Sequence, residues 1–258
     1  MITEVTRLTE ISAVAGDDSL VMWAAQRLDG GVRAFRLGDA VAVASPDLCR
    51  RDRLAVAGPA AAAARLVTHT LGECGATYRP LGGDELITEI TRRVRELKVA
   101  ARFAWMDTST PPPPGPPSPP SPPGPPGGPG GGAVWLPATA AGEVTALLAQ
   151  ASPDAYALPG LPGVRAWAGI RDGHTLTAVA ADAWSAPTAG LLAGVATALP
   201  ARRRGLGERV CRFVTDHLIA AHGRACLMAD GWNTTAIALY QRLGYHLHQA
   251  AVAETTPG

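Results

Sequence analysis

The sequence predicts an α+β protein built in two halves. Apolar runs with strand character interleave with segments of helical periodicity. The order of these segments is similar in residues 1–110 and 133–258, and a Pro/Gly/Ser run at 111–132 separates the two.

The second half reads more sharply. Ala141–Ala151 has a helical pattern. Val164–Arg171 alternates like a strand, Asp172-Gly173 signals a turn, and Thr175–Trp184 reads as the partner strand of a hairpin. Gly190–Leu199 is a continuous apolar run, as expected of a strand buried on both faces. From Gly205 to His222, Leu206, Val210, Phe213, Val214, Leu218 and Ile219 recur at helical spacing, and Gly223 ends the helix. Ala225–Ala229 reads as a short buried strand. Asn233 caps a helix that stops at Gly244, and a last strand covers Tyr245–Val252.

The first half repeats this order more faintly. Strands are expected at Val32–Leu37, Ala40–Ala44 and Leu54–Ala57, followed by a helix at Ala60–Glu73. A strand near Thr77–Arg79, a helix over Asp84–Leu97 and a strand at Val99–Trp105 complete the expected set. The repeated order suggests duplication or two α+β domains.

Proline fixes φ and removes a backbone donor, so residues 111–132 cannot form a core. They read as a disordered, semi-rigid linker, with an SH3-type ligand as the less favoured reading.

The 258 residues are 47% hydrophobic and 17% charged, with a net charge of +1, which allows a sizeable core and asks for neither a polyanionic partner nor a membrane surface. The four cysteines, at 49, 74, 211 and 226, form no CxxC pair and read as reduced thiols. No signal peptide or apolar run long enough to span a bilayer is visible, so a cytoplasmic protein is expected.

The chemistry concentrates between residues 195 and 245. The segment Val195-Ala196-Thr197 precedes Arg202-Arg203-Arg204-Gly205-Leu206-Gly207-Glu208. A buried strand, a turn and a glycine-bearing helix start present unpaired N–H groups and a positive dipole end, which together cradle an anion. A P-loop would need Gly-Lys-Ser/Thr, which is absent. A dinucleotide fingerprint would need a third glycine where Val210 stands.

The remaining form, Arg202-x-x-Gly205-x-Gly207, resembles the acyl-CoA loop of the GNAT superfamily. A second segment, Asn233-x-x-Ala236-x-x-Leu239-Tyr240-x-x-x-Gly244-Tyr245, resembles that superfamily's other signature, with Tyr245 in place of the usual Phe. The resemblance covers roughly residues 133–252. The VRAWAGIRD hairpin followed by VAT and RRRGLG looks most like the glycine N-acyltransferase-like branch.

The resemblance implies a GNAT fold with a mixed central sheet flanked by helices, and acyl-CoA, chiefly acetyl-CoA, as co-substrate. It implies that Val195, Ala196 and Thr197 line the acyl and pantetheine arm, and that the backbone of Arg203, Arg204, Gly205, Leu206, Gly207 and Glu208 holds the pyrophosphate. Asn233 would contact the CoA arm, and Tyr240 would protonate the departing thiolate. An amine of a small molecule or peptide would attack the thioester directly. Asp182 and Asp230 are the candidate general bases by location, and a water chain is the alternative.

Each feature also has a plainer reading. Tyr240 could be a core tyrosine and Asn233 a mere cap. Arg202, Arg203, Arg204, Arg209 and Arg212 could form a nucleic-acid patch, against which the near-neutral charge argues. His246 and His248 share a strand face without a third ligand, so no metal site is expected. No such signature appears in the first half, where Gly58-Pro59-Ala60 follows the third strand. A degenerate, non-catalytic GNAT repeat is favoured there over an unrelated packing domain. The competing class for the whole chain is a non-catalytic acyl-CoA-binding or interaction protein. The acceptor, and whether the chain forms a homodimer, stay open.

Overall fold

The computed structural model describes residues 1–113 and 132–256. The expected linker therefore lies almost wholly outside the described residues.

The first half runs β1 (Thr3–Val5), α1 (Leu8–Ala15), α2 (Ser19–Ala25), β2 (Arg33–Leu37), β3 (Ala40–Ser45), β4 (Arg53–Ala57), α3 (Ala60–Cys74), β5 (Arg79–Gly83), α4 (Asp84–Arg93) and β6 (Leu97–Thr108). The second half runs β7 (Val134–Trp135), α5 (Ala141–Ala151), β8 (Val164–Asp172), β9 (Thr175–Ala183), β10 (Gly190–Thr197), α6 (Leu206–His222), β11 (Ala225–Asp230), α7 (Thr234–Arg242) and β12 (His246–Thr255).

All these strands form one 12-stranded sheet, ordered β1-β2-β3-β4-β5-β12-β6-β11-β10-β9-β8-β7. Exchanging each strand of the first half for its counterpart in the second reverses this order onto itself. The sheet therefore has pseudo-twofold symmetry about the β6–β12 pair. β4 and β5 are parallel, as are β10 and β11, while the other pairings are antiparallel.

The last strands are exchanged between halves. β12, from the second half, lies beside β5, and β6, from the first, lies beside β11. The register runs from His246 opposite Asp107 to Thr255 opposite Leu97.

The helices fall on two sides. One core joins α1, α2 and α5 to a sheet face and spans both halves, from Trp23 and Val41 to Trp167 and Trp184. On the other side, α6 and α7 cover the second half and α3 and α4 the first, in two separate clusters. Reciprocal contacts bind the halves further. Trp23 Nε1 donates to the Trp184 carbonyl at 2.9 Å, and Arg51 Nε donates to Tyr156 Oη at 3.2 Å.

Most expected elements are present within a residue or two. The helix expected over 84–97 ends at Arg93, because Leu97 N–H turns back to the Val94 carbonyl. β6 extends to Thr108, past the expected end at Trp105, because ladders on both flanks hold it there. β1, α1, α2 and β7 were not foreseen. α2 is buried at every position, so it carries no amphipathic signal.

Candidate functional site

β10 and β11 hydrogen-bond in parallel only from Gly190–Ala225 to Leu192–Leu227. Past that point β10 follows β9 to Thr197 while β11 follows β6 to Asp230, so the two strands splay apart. The opening carries the segments of both sequence signatures.

A β-bulge marks β10 at the splay. Ala193 pairs with Ala181 and Ala196 with Val179, leaving Gly194 and Val195 opposite a single residue. Gly194 has φ +61°, and a Cβ there would stand 2.4 Å from the Trp167 ring. The extra residue breaks alternation: Ala193 packs into the core under α5, whereas Val195, two residues on, packs toward α6. Sequence reasoning did not single out Gly194 or Trp167. The glycine inside an apolar strand run was the available signal.

The connection from β10 to α6 begins as a short 3-10 turn, Leu199–Ala201. Gly205 then takes φ +74°, and nothing lies within 4 Å of where its Cβ would be. No side chain caps α6, so its first-turn N–H groups have no side-chain acceptor, with the helix dipole behind them. Gly207 sits where three elements meet: a Cβ there would lie 3.1 Å from Thr197 Oγ1 and 4.0 Å from Leu239 Cδ1.

The three arginines differ. Arg202 donates to the Thr197 carbonyl at 3.4 Å and the Ala151 carbonyl at 3.1 Å, and Arg204 pairs with Asp172 at 3.2 Å. Arg203 is exposed, has φ +63°, and its guanidinium has no partner among the described residues. Arg203 shares this positive φ with seven other non-glycine residues among those described. The Glu208 carboxylate accepts hydrogen bonds from Arg212 and Arg242, each at 3.4 Å, which offsets its charge at the helix start.

Asn233 caps α7, its Oδ1 accepting from Ala236 N at 3.2 Å, while its own N–H donates to the Asp230 carbonyl at 2.9 Å. Tyr240 lies on α7, buried against Tyr245 with ring centroids 5.9 Å apart. Burial raises its phenol well above the ordinary range, so it stays protonated at neutral pH. Its hydroxyl has no hydrogen-bond partner among the described residues, whereas that of Tyr245 is engaged by Thr215 Oγ1 at 2.8 Å.

The two candidate bases are placed differently. Asp230 ends β11 at the splay and is exposed. Asp182 sits opposite Leu192, and its carboxylate accepts from Ser185 Oγ, which itself accepts from Leu191 N–H. The Asp182–Ser185 pair thus anchors the loop before β10.

These features fit the phosphates and arm of CoA: an uncapped helix start, a glycine open to the outside, a cation without a partner and a splay between parallel strands. The first half lacks the loop. Only Gly58 and Pro59 separate β4 from α3, and a Cβ on Gly58 would stand 2.3 Å from the Asp39 carbonyl oxygen.

A cavity of ≈ 570 Å³ lies elsewhere. It is lined by Arg224, which precedes β11, and by Gly83, His246 and Asp107. Its Arg224 end lies at the end of β11 opposite the splay, about 17 Å away at ~3.3 Å per residue.

Residues 167–253 match the family model described as FR47-like protein. No curated protein matches the chain. Among solved structures the chain is similar to a GCN5-related N-acetyltransferase from Kribbella flavida, at 20% identity over 91% of this chain and 94% of that one, with TM-score 0.57. It is similar to an acetyltransferase from the GNAT family from Colwellia psychrerythraea, at 12% identity over 100% of each chain and TM-score 0.54. A GCN5-related N-acetyltransferase from Sphaerobacter thermophilus aligns at 13% identity over 98% of this chain and 94% of that one, with TM-score 0.53. Residues 167–253 carry the match to that family model, and the fold these solved structures share with the chain is a mixed sheet flanked by helices.

Proposed function

We propose that the chain transfers an acetyl or other short acyl group from acyl-CoA to a primary amine of a small molecule or peptide. The observation that carries this reading is the α6 start: uncapped N–H groups, open Gly205 and partnerless Arg203 at the end of a splayed, bulged strand. The hairpin and loop sequence favour the glycine N-acyltransferase-like branch within the superfamily.

When bound, CoA supplies the activated acyl group as a thioester. The N–H groups of Leu206, Gly207 and Glu208, with the Arg203 side chain, hold the pyrophosphate. Backbone groups of Val195–Thr197 hold the arm beside the bulge and polarise the thioester carbonyl. Asn233 orders the facing loop. Tyr240, kept neutral by burial, donates its proton to the leaving sulfur. Asp230, exposed at the splay, is the better placed of the two carboxylates to take a proton from the attacking amine, because Asp182 is held by Ser185. Positioning and carbonyl polarisation supply most of the acceleration.

The test is Tyr240→Phe, assayed with acetyl-CoA and a panel of amines. Turnover should fall by about 10²–10⁴-fold while acetyl-CoA affinity stays within a few-fold of the parent. No acetyl transfer by the parent to any amine, with acetyl-CoA still bound, would favour the interaction-protein reading instead.

A further inference from the structure

The cavity near Gly83 has a position and a lining that the acyl-transfer reading leaves unused. By strand register, Gly83 is opposite Ala250 on β12 as Asp230 is opposite Phe103 on β6, and Ala250 and Phe103 face each other across the pseudo-twofold axis. Gly83 and Asp230 thus end one row that crosses β5, β12, β6 and β11. At Gly83 the row ends in a hydrogen, and nothing lies within 4 Å of where a Cβ would stand. The resulting space of ≈ 570 Å³ falls in the ~300–1,000 Å³ range of small-molecule pockets.

Both halves build it. The α1–α2 connection supplies Asp17 and Asp18, β6 supplies Asp107, and the second half supplies Arg224, His246 and His248. The buried indole of Trp105 ties the wall to the floor, its Nε1 donating to Ser19 Oγ at 2.8 Å.

Three carboxylates thus face one permanent cation. Arg224 is already committed to Asp17, whose backbone carbonyl it also reaches at 2.9 Å. One oxygen of Asp18 accepts from Leu20 N–H and Val21 N–H at 2.9 and 3.0 Å, and one oxygen of Asp107 accepts from His248 Nε2 at 3.1 Å. The second oxygen of each takes no hydrogen bond from the described residues. No group of three His, Cys, Asp or Glu is arranged to hold a metal ion among them. The phosphate loop that would serve CoA on this side is closed at Gly58-Pro59.

We propose that this cavity is a second ligand site, distinct from the acyl-transfer cleft, that takes a small organic cation with a primary ammonium group. Asp107 and Asp18 accept hydrogen bonds from the ammonium, the stem lies over Gly83 and Ala250, and the imidazole of His246 borders the far end. A charge-assisted pair of this kind is worth more than a neutral hydrogen bond, and it depends on the carboxylates staying ionised.

The experiment is calorimetric titration of the full chain, free of CoA, with 1,4-diaminobutane, and with succinate as the anion of similar length. The parent should bind the diamine and not succinate. Gly83→Leu, which fills the cavity at an unstrained φ of −54°, and Asp107→Asn should each weaken binding at least about tenfold. Asp230→Asn should leave it unchanged. A melting temperature and an acetyl-CoA-induced shift equal to the parent's certify each variant as folded, and Asp107→Asn carries the test alone should Gly83→Leu not fold. The proposal is overturned if the diamine does not bind the parent, if succinate binds equally, or if binding survives at Gly83 and Asp107 and is lost at Asp230. The last result would place the amine in the transfer cleft only.

Discussion

Gly83 and Asp230 end one row that crosses β5, β12, β6 and β11, each facing the exchanged strand of the other half. One half keeps a carboxylate and a long glycine-bearing loop beside it, and the other keeps a glycine, a cavity and a closed loop. The two halves of the pseudo-symmetric sheet thus present different groups at the two ends of this row.

The α6 start should respond to Gly205 substitutions in a graded way. Acetyl-CoA at about 100 times its Kd should stabilise the parent by about 2.7 kcal/mol. Gly205→Asn tolerates the left-handed conformation and should retain most of this shift. Gly205→Trp should abolish it, because the indole occupies the open space at the helix start. Thermal unfolding with and without acetyl-CoA reads both, and an undiminished shift in Gly205→Trp would remove the cradle from the binding site.

Gly194 should be far less tolerant than Gly205. A side chain there meets Trp167 at 2.4 Å as well as the penalty of φ +61°. Gly194→Val should cost about 2–4 kcal/mol in urea unfolding, whereas Gly205→Ala should cost about 1 kcal/mol. Equal costs at the two sites would mean the bulge relaxes freely.

Neither half should fold alone. Residues 133–258 without β6 leave the facing edges of β11 and β12 unpaired, and such edges promote aggregation. Expressed separately, each half should be insoluble or disordered. Co-expressed as two chains, they should co-purify as a complex. A monodisperse, folded fragment 133–258 would contradict the strand exchange.

Alkaline pH should weaken the fold through its buried thiols and phenols. Burial pushes the Cys49 thiol from its ordinary 9.0 up to about 11, and raises Cys211 and Cys226 further. A pKa raised in the folded state means the unfolded chain releases its proton first. This contribution to stability is complete below pH 9 and lost as pH rises through the folded values. Urea midpoints should therefore fall between pH 8 and pH 10.5. At pH 8, half-buried Cys74 should be the first thiol to react with a disulfide reagent, with the other three reacting only in denaturant.

The sequence by itself determined most of the elements and the glycine-bearing start of α6. Apolar runs, helical spacing and the glycines at 205, 207, 223 and 244 are local signals, set by backbone sterics and by which face each residue buries. Burial on all sides hid α2, since a helix without a polar face has no period to read.

Only the tertiary structure decided how the halves join. Pairing β6 with β11 and β12 with β5 joins residues more than a hundred positions apart, and no local pattern encodes such a partner. The same holds for the bulge at Gly194, which exists because β9 fixes the register on both sides of it, and for the cavity at Gly83. That cavity is made by what other strands and the α1–α2 connection place around a residue with no side chain. Local preference chose the elements, and non-local packing, by satisfying the strand edges of one half with the other, chose the architecture that holds the site.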